Sequence, residues 1–177
     1  MKIFKTKILS RSILLLSVVI ISLSSCKKDD PEVANYIGTW SSIQNVTQDG
    51  ISMDIKDVIT LTEDSFIDIA QFLNPSTGKY VDLMKMSGNL SVLSTTMLVT
   101  IKEIGINQID PNTGQSTGMF SVKEGDAQFE DLFIKLGLSK SFKSEYSVNG
   151  NKLTLKTDGN NDGDYTDKNE TVIYTRQ

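Results

Sequence analysis

Short runs of alternating apolar and polar residues constrain the fold of this 177-residue chain more than any other feature. In the run 51–62, Ile59 and Leu61 share one side, whereas Lys56 and Thr60 share the other. Such alternation is typical of strands with one buried face. Similar runs recur at 66–73, 81–83, 97–101, 145–148, 153–155 and 171–174.

The run 66–73 is less regular than the others. Ile67, Ile69 and Leu73 alternate with Asp68 and Ala70, which favours a buried isoleucine face. Phe66 and Phe72 make the opposite face partly apolar as well.

Turn residues separate the runs and favour hairpins. The segments 74–79 and 110–115 both contain a proline that presets a turn dihedral and a glycine that accepts a positive φ, and Asn149-Gly150 is a third turn signal. We therefore predict an all-β fold of about eight to ten antiparallel strands. Its form is an up-and-down barrel or a flattened two-sheet meander, in a single domain over residues 36–177.

One segment, 126–136, predicts a short amphipathic helix. Its apolar residues recur at helical spacing: Phe129, Leu132, Phe133 and Leu136. Asp126 suits the N-cap and Gly137 suits the C-terminal stop. Such a helix plugs one end of a barrel, packs on a sheet or covers a ligand cavity as a lid.

The N-terminal residues predict an export signal. A basic region from Lys2 to Arg11 precedes an apolar run, 13–21, that is too short for a stable membrane span. The following Leu23-Ser24-Ser25-Cys26 resembles the bacterial lipobox, in which cleavage precedes a cysteine that becomes lipid-modified. We expect residues 1–25 to be a lipoprotein signal peptide and 26–35 to be an acylated Cys26 with a flexible tether; an ordinary signal peptide is the alternative.

We expect the tether and the lipid to hold the domain at a membrane. Residues 27–32 (KKDDPE) resemble the acidic export signal of Bacteroidetes-type surface lipoproteins. A solvated spacer with no export role has the same composition. The expected location is the outer membrane, with the domain exposed at the surface or facing the periplasm.

Composition excludes several classes of function. The chain contains no histidine and one cysteine, so catalysis by Ser-His-Asp or Cys-His groups and zinc ligation by histidine are excluded. Residues 1–25 hold four of the 18 basic residues and no acidic one, which leaves 14 basic against 22 acidic residues, a net charge of −8. Such an acidic domain repels nucleic acid. We expect a monomer that is not an enzyme.

The motif Gly38-Thr39-Trp40 opens the first strand and resembles the Gly-x-Trp signature of lipocalins and of lipocalin-like domains in Bacteroidetes lipoproteins. The resemblance implies that the tryptophan lies at the closed end of a barrel. It also implies that an arginine near the end of the last strand packs across the ring, and Arg176 has that position. These three residues, Gly38, Trp40 and Arg176, form the expected structural signature.

The same resemblance implies a small apolar ligand inside the barrel. The candidate cavity residues are the following methionines and phenylalanines: Met84, Met86, Met97, Met119, Phe129 and Phe133. Ordinary core packing is the alternative role of these side chains. The alternative function is a calcium-stabilised β module that contacts a protein or polysaccharide partner at the cell surface.

An acidic loop follows the run 153–155. Asp158, Asn160 and Asp162, with Gly163 behind them, match the start of the calcium loop D-x-[DN]-x-[DN]-G. Asp164 and Glu170 are further candidate ligands, although Glu170 lies one residue beyond the usual position. The sequence therefore predicts a Ca²⁺ site here, and a polar hairpin tip is the alternative.

Chelation tests the calcium site. We expect EDTA to lower the Tm of the chain, because the crowded carboxylates repel one another without a cation. Asp162→Ala should remove this response, whereas Asp29→Ala, in the predicted tether, should keep it. An unchanged Tm on chelation, with Asp162→Ala behaving like the wild type, contradicts the site.

Overall fold

The computed structural model describes residues 34–48, 51–110, 115–158, 165 and 170–177. The predicted signal peptide, Cys26 and the tether as far as residue 33 lie outside these residues. The described residues form nine strands and one helix: β1 Gly38–Gln48, β2 Ile51–Leu61, β3 Ser65–Asn74, β4 Lys79–Leu93, β5 Thr96–Ile109, β6 Ser116–Lys123, α1 Phe129–Leu136, β7 Ser141–Asn149, β8 Lys152–Thr157 and β9 Thr171–Arg176.

Eight of the strands close into an antiparallel barrel. Neighbours around the ring follow the order β1-β2-β3-β4-β5-β7-β8-β9, and β9 returns to β1. The sixth strand pairs with β5 and lies outside the ring. The all-β prediction is confirmed, and the closed barrel, not the open two-sheet meander, is the form that the chain adopts.

The long strand β5 explains why β6 leaves the ring. One edge of β5 pairs with β4. On the other edge, Thr96–Thr100 pairs with β7 and Glu103–Ile109 pairs with β6. A bulge at Lys102 separates these two segments and reverses the alternation, so that Ile101 and Ile104 are both buried.

The barrel closes at a short seam between its first and last strands. β1 and β9 pair at two positions, Trp40 with Arg176 and Ser41 with Thr175. The backbone N–H of Gln177 extends the seam by donating to the Thr39 carbonyl oxygen at 2.9 Å. Few backbone hydrogen bonds thus join the two ends of the domain.

The side chain of Arg176 reinforces this seam. Its guanidinium carbon lies 4.0 Å from the ring centroid of Trp40. Its terminal nitrogens donate to the carbonyl oxygens of Ile37 at 2.9 Å and Asn35 at 2.7 Å. A Cβ on Gly38 would lie 2.6 Å from Nη1, and the φ of Gly38 is +140°. Glycine therefore provides both the space and the backbone conformation for the arginine.

The segment before β1 covers this end of the barrel. Trp40 is fully buried, and its Nε1 donates to the Tyr36 carbonyl oxygen at 2.8 Å. The ring of Tyr36 meets Tyr146 of β7 edge to face, with the centroids 5.5 Å apart. Since β7 is separated from β1 by β8 and β9, residues 34–37 cross the end of the barrel and close it.

The helix forms where the sequence predicts one, but it begins later. Gln128 is the N-cap, whereas the carboxylate of Asp126 accepts a hydrogen bond from the Lys123 backbone N–H at 2.7 Å. The prediction of Asp126 as N-cap was wrong because this turn already engages its side chain. Gly137 ends the helix as predicted, with a φ of 64°. No helix among the described residues is long and apolar enough to cross a membrane.

Replacing Arg176 with methionine tests the seam. Arg176→Met keeps an apolar stem over Trp40 but removes the cation and both hydrogen bonds, so we expect the free energy of unfolding to fall by about 2 kcal/mol. Urea denaturation measures this change. Lys152→Met, which removes an exposed cation from the β8 residue paired with Thr175, should change it by less than about 0.5 kcal/mol. Equal effects of the two substitutions contradict the role of Arg176.

Candidate functional site

A partly enclosed cavity of about 210 Å³ lies inside the barrel. Six strands, β2, β3, β5, β7, β8 and β9, each line it with two side chains at positions i and i+2. This spacing follows from the strand pleat, which directs every second side chain inward. Most of the lining is apolar and includes Ile59, Leu61, Phe66, Val99, Leu155 and Val172.

Asp68 is an ionisable group in this apolar lining. It lies on β3 next to Ile59 of β2, and Ile59 in turn pairs with Trp40. Asp68 therefore belongs to the row of residues that contains Trp40. Its Oδ1 is buried and has no hydrogen-bond partner. Buried polar atoms are normally paired, so this carboxylate oxygen is available to accept a hydrogen bond from a donor in the cavity.

The sequence interpretation of β3 placed Asp68 on the wrong face. The alternation with Ile67 and Ile69 favoured a solvent-facing carboxylate, but Phe66 is buried and Ile67 is 37% exposed. The phenylalanine face is the interior face, and Asp68 shares it. Phe66 and Phe72, at the same parity as Asp68, are compatible with this orientation, but Ile67, Ile69 and Leu73 make the opposite face equally apolar.

A second carboxylate, Asp57, faces the same interior. It shares the parity of the buried residue Ile59 on β2, and it pairs with Ser42 on one side and Ala70 on the other. An acidic residue at a core position within an alternating run is the sequence signal that points to it. The buried Oγ of Ser42 has no hydrogen-bond partner.

Burial and mutual repulsion shift the pKa values of these groups. Burial raises the pKa of Asp57 above its usual value. Burial, together with the charge of Asp57, raises the pKa of Asp68 to about 7. The phenol of Tyr174 lines the same cavity, and burial together with the two carboxylates raises its pKa as well. Tyr174 therefore stays neutral.

The described lining contains three other polar side chains: Ser144 of β7, Thr157 of β8 and Glu170, which directly precedes β9. The hydroxyls of Ser144 and Thr157 are hydrogen-bonded to each other at 2.6 Å. The Thr157 backbone N–H donates to the Glu170 carbonyl oxygen at 2.8 Å. Glu170 is buried, and its place in the lining contributes a further carboxyl group to the interior.

The predicted ligand residues occupy three kinds of position. Met97 is buried and lines the cavity. Met84 and Met86 are partly buried against the core, and Met119 is 42% exposed. Phe129 and Phe133 of α1 belong to the core cluster, with their rings edge to face at 4.9 Å. Of the six, the cavity lining includes Met97.

Two of the five predicted calcium ligands belong to the described part of the chain. Asp158 is half-buried, and Glu170 lines the cavity. Asn160, Asp162 and Asp164 lie outside the described residues. Within the described ranges, no group of three or more acidic, cysteine or histidine residues is arranged to hold a metal ion.

The fold and its interior define a closed antiparallel β-barrel with a partly enclosed cavity. No protein-family model and no curated protein matches this chain. Among solved structures, it is similar to the crystal structure of an uncharacterized protein from Bacteroides eggerthii, with 14% sequence identity and a TM-score of 0.38. That similarity covers 81% of this chain and 100% of the other. Function is therefore inferred from the residues inside the barrel.

The raised pKa of Asp68 predicts a pH-dependent stability. Between its ordinary pKa of 3.8 and about 7, the unfolded chain loses a proton that the folded chain retains. The free energy of unfolding therefore falls as pH rises through this range, by up to about 1.4 kcal/mol per pH unit. Asp68→Asn removes the titrating carboxyl group and keeps the size and shape of the side chain.

Urea denaturation at pH 5 and pH 8 measures the effect. Between these two pH values, we expect the wild type to lose about 2 kcal/mol more stability than Asp68→Asn does. Asp131→Asn alters an exposed aspartate of α1 and should leave the wild-type pH dependence intact. If Asp68→Asn and the wild type respond equally to pH, Asp68 does not titrate in this range.

Proposed function

We propose that this chain is a non-enzymatic, lipocalin-like binding protein whose barrel holds a small, largely apolar molecule. The observation that carries the proposal is the cavity of about 210 Å³, to which six strands contribute inward side chains. Ligand sites in proteins are concave and mostly apolar, with a few polar groups that orient the ligand. The apolar walls and the polar group at Asp68 fit this description.

The volume of the cavity limits the size of the ligand. An apolar cavity of about 150 Å³ is large enough for benzene. A cavity of about 210 Å³ therefore suits a single ring with a short substituent, or a short aliphatic chain. Larger ligands such as long-chain lipids exceed this volume.

Binding without catalysis is the role that the residue inventory supports. The chain has no histidine to act as a general base. Its one cysteine, Cys26, has the lipidation position of the lipobox. We propose that this lipid holds the domain at the outer membrane, where the tether of residues 26–35 allows the barrel to sample solutes near the membrane surface.

Propylbenzene is a neutral probe of the proposed site. At ten times its Kd, we expect it to raise the Tm of the chain by about 3 °C, because it binds the folded state alone. Val172→Phe places a ring in the cavity and should abolish the shift. Each variant is compared with its own ligand-free Tm.

A matched substitution outside the cavity controls for the added ring. Val46→Phe, at a position on β1 that is 42% exposed, should keep the full shift. A wild-type Tm that does not respond to propylbenzene contradicts the proposed function, and so does a full shift in Val172→Phe.

A further inference from the structure

We propose that the molecule held in the barrel carries a protonated amine, and that the carboxylate of Asp68 receives its ammonium group, with Asp57 adding negative charge beside it. This inference rests on the proposed function of the barrel as a binding site. The apolar cavity walls define the apolar part of the ligand, and the inference adds that the polar part is an ammonium group.

The unpaired oxygen of Asp68 is the first observation. Oδ1 is buried beside the cavity and has no hydrogen-bond partner. Leaving a buried acceptor unpaired is costly, and the cost is larger when the group is charged. An ammonium group supplies both a donor and the opposite charge, and charge-assisted hydrogen bonds are the strong ones.

The balance of charge inside the barrel is the second observation. Asp68 and Glu170 line the cavity, and Asp57 lies close enough to raise the pKa of Asp68. Tyr174 is the remaining titratable group of the lining and stays neutral. None of the described side chains that line the cavity is a lysine or arginine. The described lining therefore supplies no cationic side chain to the carboxylate of Asp68.

An organic cation fits this interior better than a metal ion. Calcium requires six to eight oxygen ligands, and the described residues contain no group of three or more metal-ligating side chains. The walls around Asp68 are formed by Ile59, Leu61 and Phe66. These side chains suit the hydrocarbon portion of an alkyl or aryl amine, whose charged end lies at the carboxylate.

Three probes of similar shape and different charge test the inference. They are 2-phenylethylammonium, propylbenzene and phenylacetate, each titrated calorimetrically into the full chain at pH 8. We expect the ammonium compound to bind at least tenfold more tightly than propylbenzene, and phenylacetate to bind at least tenfold more weakly. Asp68→Asn should abolish the preference for the ammonium compound, whereas Asp131→Asn, at an exposed position, should keep it.

The wild-type pH profile supplies a test that needs no variant. Protonation of Asp68 at low pH removes its charge, while the amine stays protonated. The affinity for 2-phenylethylammonium should therefore fall at least tenfold from pH 8 to pH 5, and that for propylbenzene should change less than twofold.

The outcomes separate the two proposals. Equal affinities for 2-phenylethylammonium and propylbenzene overturn the amine inference and leave the apolar binding function intact. Preference for the ammonium compound that survives in Asp68→Asn overturns the role of Asp68. Failure of all three probes to bind contradicts both the inference and the proposed function.

Discussion

The seam between β1 and β9 is the contact on which the barrel interior depends. Two paired positions join the strands, and the guanidinium of Arg176 spans from the ring of Trp40 to the carbonyl oxygens of Asn35 and Ile37. Without these contacts of Arg176 and the pairing of β1 with β9, each of these two strands would have one edge with unpaired backbone groups. The cavity would lose its enclosure as well, because β2 and β9 line it from the two sides of the seam.

The closed barrel makes its interior a place of low polarity, and this gives the two inward carboxylates their properties. The pairing of β2 with β3 places Asp57 diagonally next to Asp68, and burial disfavours the charged form of both side chains. The same surroundings strengthen a contact between a carboxylate and a ligand cation. Asp68 therefore lowers the stability of the ligand-free domain and is at the same time well placed to contact a ligand. Residues that cost stability in this way are common at binding sites.

Much of the fold follows from local patterns in the chain. The strands, the hairpin at Asn149-Gly150 and the helix stop at Gly137 depend on neighbouring residues, which the sequence shows directly. Which face of β3 points inward does not follow from such local patterns. Both of its faces are apolar, so the choice between Phe66 and Ile67 rests on how β3 packs against β2 and β4. Asp57 had a clearer signal, since it lies at the core parity of β2.

Bulges limit prediction further, because they reverse the alternation within a strand. Leu83 on β4 and Lys102 on β5 are the extra residues at two such shifts. At the second, a Cβ on Gly88 would overlap the Thr100 carbonyl oxygen, so the close approach of the strands requires glycine there. Whether a side chain beyond a bulge faces the core depends on the partner strand.

The sequence by itself determined that this chain is β-rich, has no histidine and carries Trp40 and Arg176 near the two ends of its β domain. These properties follow from residue types and from spacing along one strand or turn. Tertiary structure alone decided that Asp57, Asp68 and Tyr174 face the interior of one barrel, because strands distant along the chain must pair in register before their inward side chains come together.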